Sequence, residues 1–183
     1  MKAPMTWRNG PNGYGLISRA LHWGMALLIL VLLSLGLRLS AMQPDLSTLW
    51  LYGLHKTLGL SVLALVLLRL VWHRITPPPQ PLAAGWQVRA AKAGHLALYL
   101  LMLVIPLSGW AASSATGIDT LFADRWVVPP IAPVSETVEA TAFAIHAVAT
   151  KLLMALVTVH ALAAFQHEMA GEGTLTRMLR GRR

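Results

Sequence analysis

The chain has 183 residues, of which 56% are hydrophobic and only 12% charged, with a mean hydropathy of +0.59. A soluble domain of this length carries about twice that charged fraction, and the apolar surplus is too large for one water-soluble core to hide, so the composition describes a membrane protein. The absence of cysteine removes thiol nucleophiles, disulfides, cysteine-ligated clusters and thioether-linked groups, while seven histidines are a high count for so apolar a chain.

A bilayer core of about 30 Å takes about 20 mostly apolar helical residues to cross, and four stretches qualify. The first, about 20–39, has no formal charge between Arg19 and Arg38. The second, about 49–72, is uncharged over 57–68 and is stopped by Thr76-Pro77-Pro78-Pro79. The third, about 93–115, is free of charge from Lys92 to Asp119 and carries Pro106 as a kink. The fourth, about 140–167, is Ala-rich and interrupted by Lys151. Between them lie Gln43-Pro44-Asp45, the proline-rich 77–81 run and a longer loop, 117–135, with Pro129, Pro130 and Pro133. The expected architecture is an all-α membrane protein, a four-helix transmembrane bundle forming a single domain over 1–183, with a basic tail at 168–183. Residues 21–37 also resemble the apolar core of a signal peptide, with positive charge before them and Ser40 and Ala41 after. The run exceeds the about 7–15 residues of such a core and is read as a span.

Orientation follows from the Lys and Arg near the span ends. Lys2, Arg8, Arg19, Arg69, Arg74, Arg89, Lys92, Arg177, Arg180, Arg182 and Arg183 fall on the side of the termini, against Arg38, Lys56 and Arg125 on the other, so both termini are expected in the cytoplasm. The pI near 10.9 then reflects positive-inside topology and contact with membrane lipid. No basic patch is interleaved with aromatics in the manner of a nucleic-acid groove.

Four alternating spans sort the histidines by depth. His22 and His95, at the starts of spans one and three, lie toward the inside; His55 and His146, at the starts of spans two and four, lie toward the outside. His160 follows His146 by 14 residues on one helix, about 21 Å deeper and about 40° off alignment, which adds it to the inner group. Ionisable residues inside spans are functional candidates, and buried imidazole nitrogens need partners. Two bis-histidine haems stacked across the membrane fit this count and spacing. A flat porphyrin needs small neighbours, and Gly59 follows His55 by one turn, while span four carries Ala144, Ala147, Ala149, Ala155, Ala161, Ala163 and Ala164; small residues also serve ordinary helix packing. Propionates need cations: Arg19 and Arg69 or Arg74 suit an inner haem, Lys56 and Arg38 an outer one.

These residues together resemble the bacterial cytochrome b561 family, four-helix dihaem b membrane proteins that include superoxide:ubiquinone oxidoreductases. The resemblance covers about 14–180. It rests on Ser18-Arg19-Ala20-Leu21-His22-Trp23, on His55-x-x-x-Gly59 with Arg69, on Gly94-His95-Leu96-Ala97-Leu98-Tyr99, on His146 with His160, and on Leu175-x-Arg177-Met178. It implies two haem b groups in a bacterial inner membrane, the inner one held by His22 and His160 and the outer one by His55 and His146. It leaves His95 and His167 near the inner haem as candidates for quinone hydrogen bonding or proton delivery. Lys151 has no role in the resemblance; about 140° from His146 in helical angle, it is expected to point away from the same iron, snorkelling outward or pairing with a propionate.

The resemblance further implies electron transfer from a donor on the outer side, superoxide in the family's oxidases, to ubiquinone or another quinone at the inner side. The outer loops and span ends set Arg38, Lys56 and Arg125 against Asp45, Asp119, Asp124, Glu136 and Glu139, a balance that does not steer an anion from a distance, so any attraction is local to Lys56. Two rival readings use the same histidines. One is a dihaem anchor subunit of a respiratory dehydrogenase or hydrogenase, fed by a partner subunit. The other is a haem-free metal-ion transporter, which lacks the intramembrane carboxylates that hard ions prefer.

Overall fold

The structure, a computed structural model, describes residues 6–43, 45–82 and 85–181; Lys2, Pro44, Arg182 and Arg183, named above, fall outside them. Its four long helices are α1 (Leu16–Ala41), α2 (Leu49–Ile75), α3 (Trp86–Ala115) and α4 (Glu136–Met169), each long and apolar enough to cross a membrane. With 26, 27, 30 and 34 residues and a rise of about 1.5 Å per residue they reach about 39–51 Å, beyond a hydrocarbon core of about 30 Å. The chain is therefore an all-α membrane bundle, as its sequence pattern indicates.

The helices outrun the apolar windows that reveal them. An apolar window marks what lipid must hide, whereas a helix continues until its hydrogen-bond ladder meets a breaker. Here the breakers are Gly15 before α1, Thr76-Pro77 after α2, Gly85 before α3 and Gly117 after it, the last with φ +75. Helix α4 begins at Ser135, whose hydroxyl accepts from the Val138 N–H, and Glu136 and Glu139 in its first turn complement the helix dipole.

In the packing, α1 lies on α2, α2 on α3 and α3 on α4, the last pair most extensively. A small buried core of Met25, Ile29, Val62, Val66 and Leu153 sits at mid-depth. Many large apolar residues elsewhere, among them Leu27, Leu67, Leu152, Val159 and Leu162, are exposed; with lipid as the solvent they lie where a spanning bundle needs them.

Each end of the bundle is tied by its own polar contacts. At one end a short helix, α5 (Thr174–Arg180), meets the N-terminal stretch and the segment after α2. There Asn9 donates to the Thr76 carbonyl (2.9 Å), Arg177 to those of Gln80 (2.8 Å) and Pro11 (3.4 Å), Trp23 to that of Met178 (3.2 Å), and Arg19 to those of Met178 and Leu179. Sequence patterning anticipates only a basic tail here. At the other end, the segment read as plain loop contains an antiparallel hairpin of β1 (Thr120–Phe122) and β2 (Trp126–Val128). Its tip, Ala123 and Asp124, has positive φ (53 and 51) and rests on the start of α2, where the Ala123 N–H donates to the Thr57 hydroxyl (3.0 Å). Gly53 makes room for Asp124, whose Oδ1 would lie 2.6 Å from a Cβ at that position.

The hairpin is anchored to α3 by a buried hydroxyl pair, Ser113 and Thr120, 2.8 Å apart. Ser113→Ala leaves Thr120 buried without its partner and is expected to cost about 1–3 kcal/mol. Ser113→Ala with Thr120→Val, which removes both polar groups, is expected to recover part of that loss in thermal unfolding in detergent.

Candidate functional site

The imidazoles meet in pairs at two depths. His55 of α2 faces His146 of α4 with ring centroids 6.2 Å apart. Toward the α5 end, His22 of α1 faces His160 of α4, also at 6.2 Å. Two imidazoles bonded to one metal at about 2.0–2.1 Å, with about 1.1 Å from nitrogen to centroid in each ring, would have centroids about 6.3 Å apart. Both pairs have the separation that a shared metal centre requires. The buried core lies between them, with Leu153 of α4 midway between His146 and His160 in sequence.

The His55–His146 pair is held in place by specific contacts with α3 and α1. Nδ1 of His146 donates to the Ile105 carbonyl at 2.9 Å, because a carbonyl can only accept. This tautomer leaves Nε2 with its lone pair free, the arrangement that orients a histidine toward a metal. Pro106 follows that carbonyl, and Gly109 lets the imidazole lie against α3: a Cβ at Gly109 would stand 3.0 Å from His146 Nδ1, and one at Gly36 would stand 3.4 Å from His55 Cε1. Nδ1 of His55 and the Thr150 hydroxyl are buried without partners. Both residues line a cavity of about 240 Å³ together with His146, Gly36, Gly59 and Ala147. An apolar cavity with orphaned polar atoms and glycine walls fits a flat aromatic cofactor.

Lys151 is exposed and also borders this cavity. The wall takes in Ala147, Thr150, Lys151, Leu153 and Met154, a broad arc of α4 rather than one stripe, because α4 borders a gap on this side and not a packed helix. Lys56, beside His55, is not on that wall and is half-buried.

The second pair has a more crowded setting. His95 of α3 lies 5.5 Å from His160, centroid to centroid, and is itself exposed on the bundle surface. Arg69 donates to Nδ1 of His22 at 3.2 Å. An imidazole that gives Nε2 to a metal carries its proton on Nδ1, so ligation by His22 requires Arg69 to turn to another acceptor. The other expected site residues are engaged elsewhere. Arg19 holds the last carbonyls of α5, and His167 pairs with Glu172 (2.9 Å) on a partly exposed face. Sequence reasoning passed over His73, whose Nδ1 lies 3.3 Å from the Tyr99 hydroxyl while its Nε2 is buried without a partner. Its position four residues after Arg69, on the same helix face, was the available signal.

A four-span membrane bundle with paired imidazoles at two depths is the build of a membrane cytochrome. The family model for prokaryotic cytochrome b561 matches residues 13–181, and the chain belongs to that family. It is 32% identical over 182 residues to cytochrome b561 homolog 2 of Escherichia coli (strain K12), covering 96% of this chain and 95% of the relative. Cytochrome b561 homolog 1 of the same organism is 32% identical over 168 residues, 87% of this chain and 92% of its own. A protein of Yersinia pestis named probable superoxide oxidase CybB is 26% identical over 169 residues, 91% and 95% of the two chains. Family membership makes this chain a haem b protein of membrane electron transport.

Gly109→Ala places a methyl group 3.0 Å from the His146 ring and should tilt the imidazole away from its carbonyl partner. The optical or paramagnetic signature of the bound haem b is expected to change. Gly10→Ala, where an added Cβ meets nothing within 4 Å, should leave it unchanged.

Proposed function

We propose that this chain carries electrons across the bacterial inner membrane between a donor on the hairpin side and the quinone pool on the α5 side, as one domain holding two haem b groups. His55 and His146 would hold one haem, His22 and His160 the other. When bound, a bis-histidine haem b supplies one-electron redox chemistry without an open coordination position. The observation that carries the reading is the 6.2 Å separation of both imidazole pairs, with His146 already oriented by the Ile105 carbonyl.

The chain's own residues divide the remaining work. Cations concentrated at the α5 end, including Arg8, Arg19, Arg69, Arg74, Arg177 and Arg180, support a cytoplasmic location for that end. His95 is exposed within a span and stands beside His160, so a quinone arriving through lipid would meet its imidazole as a hydrogen-bond or proton donor to the quinone oxygen. His167 lies on the same side but in an ion pair with Glu172, which makes it the weaker quinone candidate. Superoxide as the donor rests on the name of the Yersinia relative, probable superoxide oxidase, and on local attraction by Lys56.

The test is a reduced-minus-oxidised spectrum of the detergent-purified protein with haem quantified per chain, followed by a superoxide pulse and ubiquinone. Two haems per chain, reduced by superoxide and reoxidised by quinone, are expected. Two haems indifferent to superoxide point instead to the anchor subunit of a respiratory dehydrogenase or hydrogenase, which co-purifies with its partner. A colourless protein overturns the proposal. Separately, His55→Ala or His146→Ala is expected to lower the haem count from two to one. Two full haems in both variants would refute the pairing.

A further inference from the structure

Among the described residues, two arginines at the α5 end have no counter-anion. Arg177 is 5% exposed, and its terminal nitrogens donate only to the carbonyls of Gln80 and Pro11. Arg69 donates to His22 and lies 5.9 Å from the centre of the Tyr99 ring. The Nε atoms of both guanidinium groups are buried without a hydrogen-bond partner. Among the described residues neither arginine forms an ion pair: Glu168 accepts from the N–H groups of Leu175 and Thr176 and from the Thr176 hydroxyl, and Glu172 is paired with His167.

Carbonyl oxygens satisfy guanidinium N–H groups but not the positive charge, and a buried cation is costly unless an anion accompanies it. A phenol stands against Arg177. Arg177 lies over the Tyr14 ring, 5.9 Å from its centre. Burial pushes the Tyr14 hydroxyl above its ordinary pKa, opposed by the nearby charges of Arg177 and Arg69, so at neutral pH it remains a hydrogen-bond donor. Guanidinium groups with open N–H edges and a phenolic O–H form a donor set for a carboxylate or phosphate.

We propose that Tyr14, Arg69 and Arg177 form an anion site at the α5 end of the bundle that takes a carboxylate or phosphate oxyanion. Two sources have this chemistry there: the propionate of a haem held by His22 and His160, and the phosphate of an anionic phospholipid in the adjoining leaflet. The first source rests on the haem reading above; the second does not. The propionate source also provides the acceptor to which Arg69 turns when His22 ligates iron.

Wild type, Arg177→Gln and Tyr14→Phe, purified in detergent, are compared by optical redox titration of each haem and by mass-spectrometric counting of anionic phospholipid retained per chain. Removing a cation or a donor near a propionate favours the oxidised state. For the propionate source, one midpoint potential therefore falls in Arg177→Gln and, by less, in Tyr14→Phe, while the other holds and the lipid count is unchanged. For the phosphate source, both potentials hold and bound anionic lipid is lost. Unchanged potentials with unchanged lipid in both variants overturn the site. Tyr14→Phe keeps the Arg177–carbonyl bonds and decides the matter if Arg177→Gln fails to fold. A colourless wild type would remove the haem reading and leave the lipid count as the deciding measurement.

Discussion

An imidazole inside a bilayer must find a partner for each ring nitrogen within the protein, because hydrocarbon offers none. Helix α4 carries two such imidazoles 14 residues apart, and much of the bundle can be understood as an answer to that demand. Helix α1 brings His22 to one, α2 brings His55 to the other, and α3 supplies the carbonyl of Ile105 that fixes the tautomer of His146. Helix α3 lies closest to α4, and Gly109 is where that closeness admits a ring. On its other side α4 borders the cavity, whose walls come from all four long helices.

How much of this is legible in the sequence depends on what kind of signal each feature leaves. Four apolar windows and a set of histidines spaced by depth are one-dimensional signals; they identify the spans and sort the histidines into an outer pair and an inner group, while the choice of His22 over His95 as the partner of His160 comes from the family resemblance. Gly36 and Gly109 leave no such signal, since a glycine in a span is equally a packing residue and only the ring lying against it marks its role. The hairpin lacks an Asn-Gly or Asp-Gly turn; its tip, Ala123-Asp124, adopts positive φ against the start of α2, a tertiary contact that local propensity does not encode. His73 fell outside the window drawn for span two because α2 continues through Arg74 to Ile75, and a hydropathy window ends where charge begins.

Arg177 shows the same limit from the opposite direction. In sequence it is one of several basic residues in a tail, counted toward the charge balance and quoted in the Leu175-x-Arg177-Met178 motif, with no contact assigned to it. In the fold it is among the most buried polar residues and joins the N-terminal stretch, the segment after α2 and α5. Arg19, which sequence spacing assigns to a propionate, instead closes the last turn of α5. For both arginines the distance from His22 along the chain is a poor guide to their contacts, because α5 folds back over the bundle and sequence distance ceases to measure proximity.

The two ends of the bundle consequently differ in chemistry. At the hairpin end the paired imidazoles sit mostly among glycines and aliphatic side chains, with Thr150 and Lys151 on the cavity wall and one ring nitrogen fixed by a backbone carbonyl, a setting that holds geometry constant. At the α5 end the pair is surrounded by groups that exchange protons or carry charge: His95, His73 bonded to Tyr99, Arg69 and Tyr14. One-electron transfer alone needs only fixed geometry, whereas converting a quinone to a quinol needs two protons for every two electrons. If electrons enter at one end and reduce a quinone at the other, the proton-handling groups belong at the quinone end. Their concentration around His22 and His160 gives the proposed reaction its direction from the arrangement of this chain's own side chains.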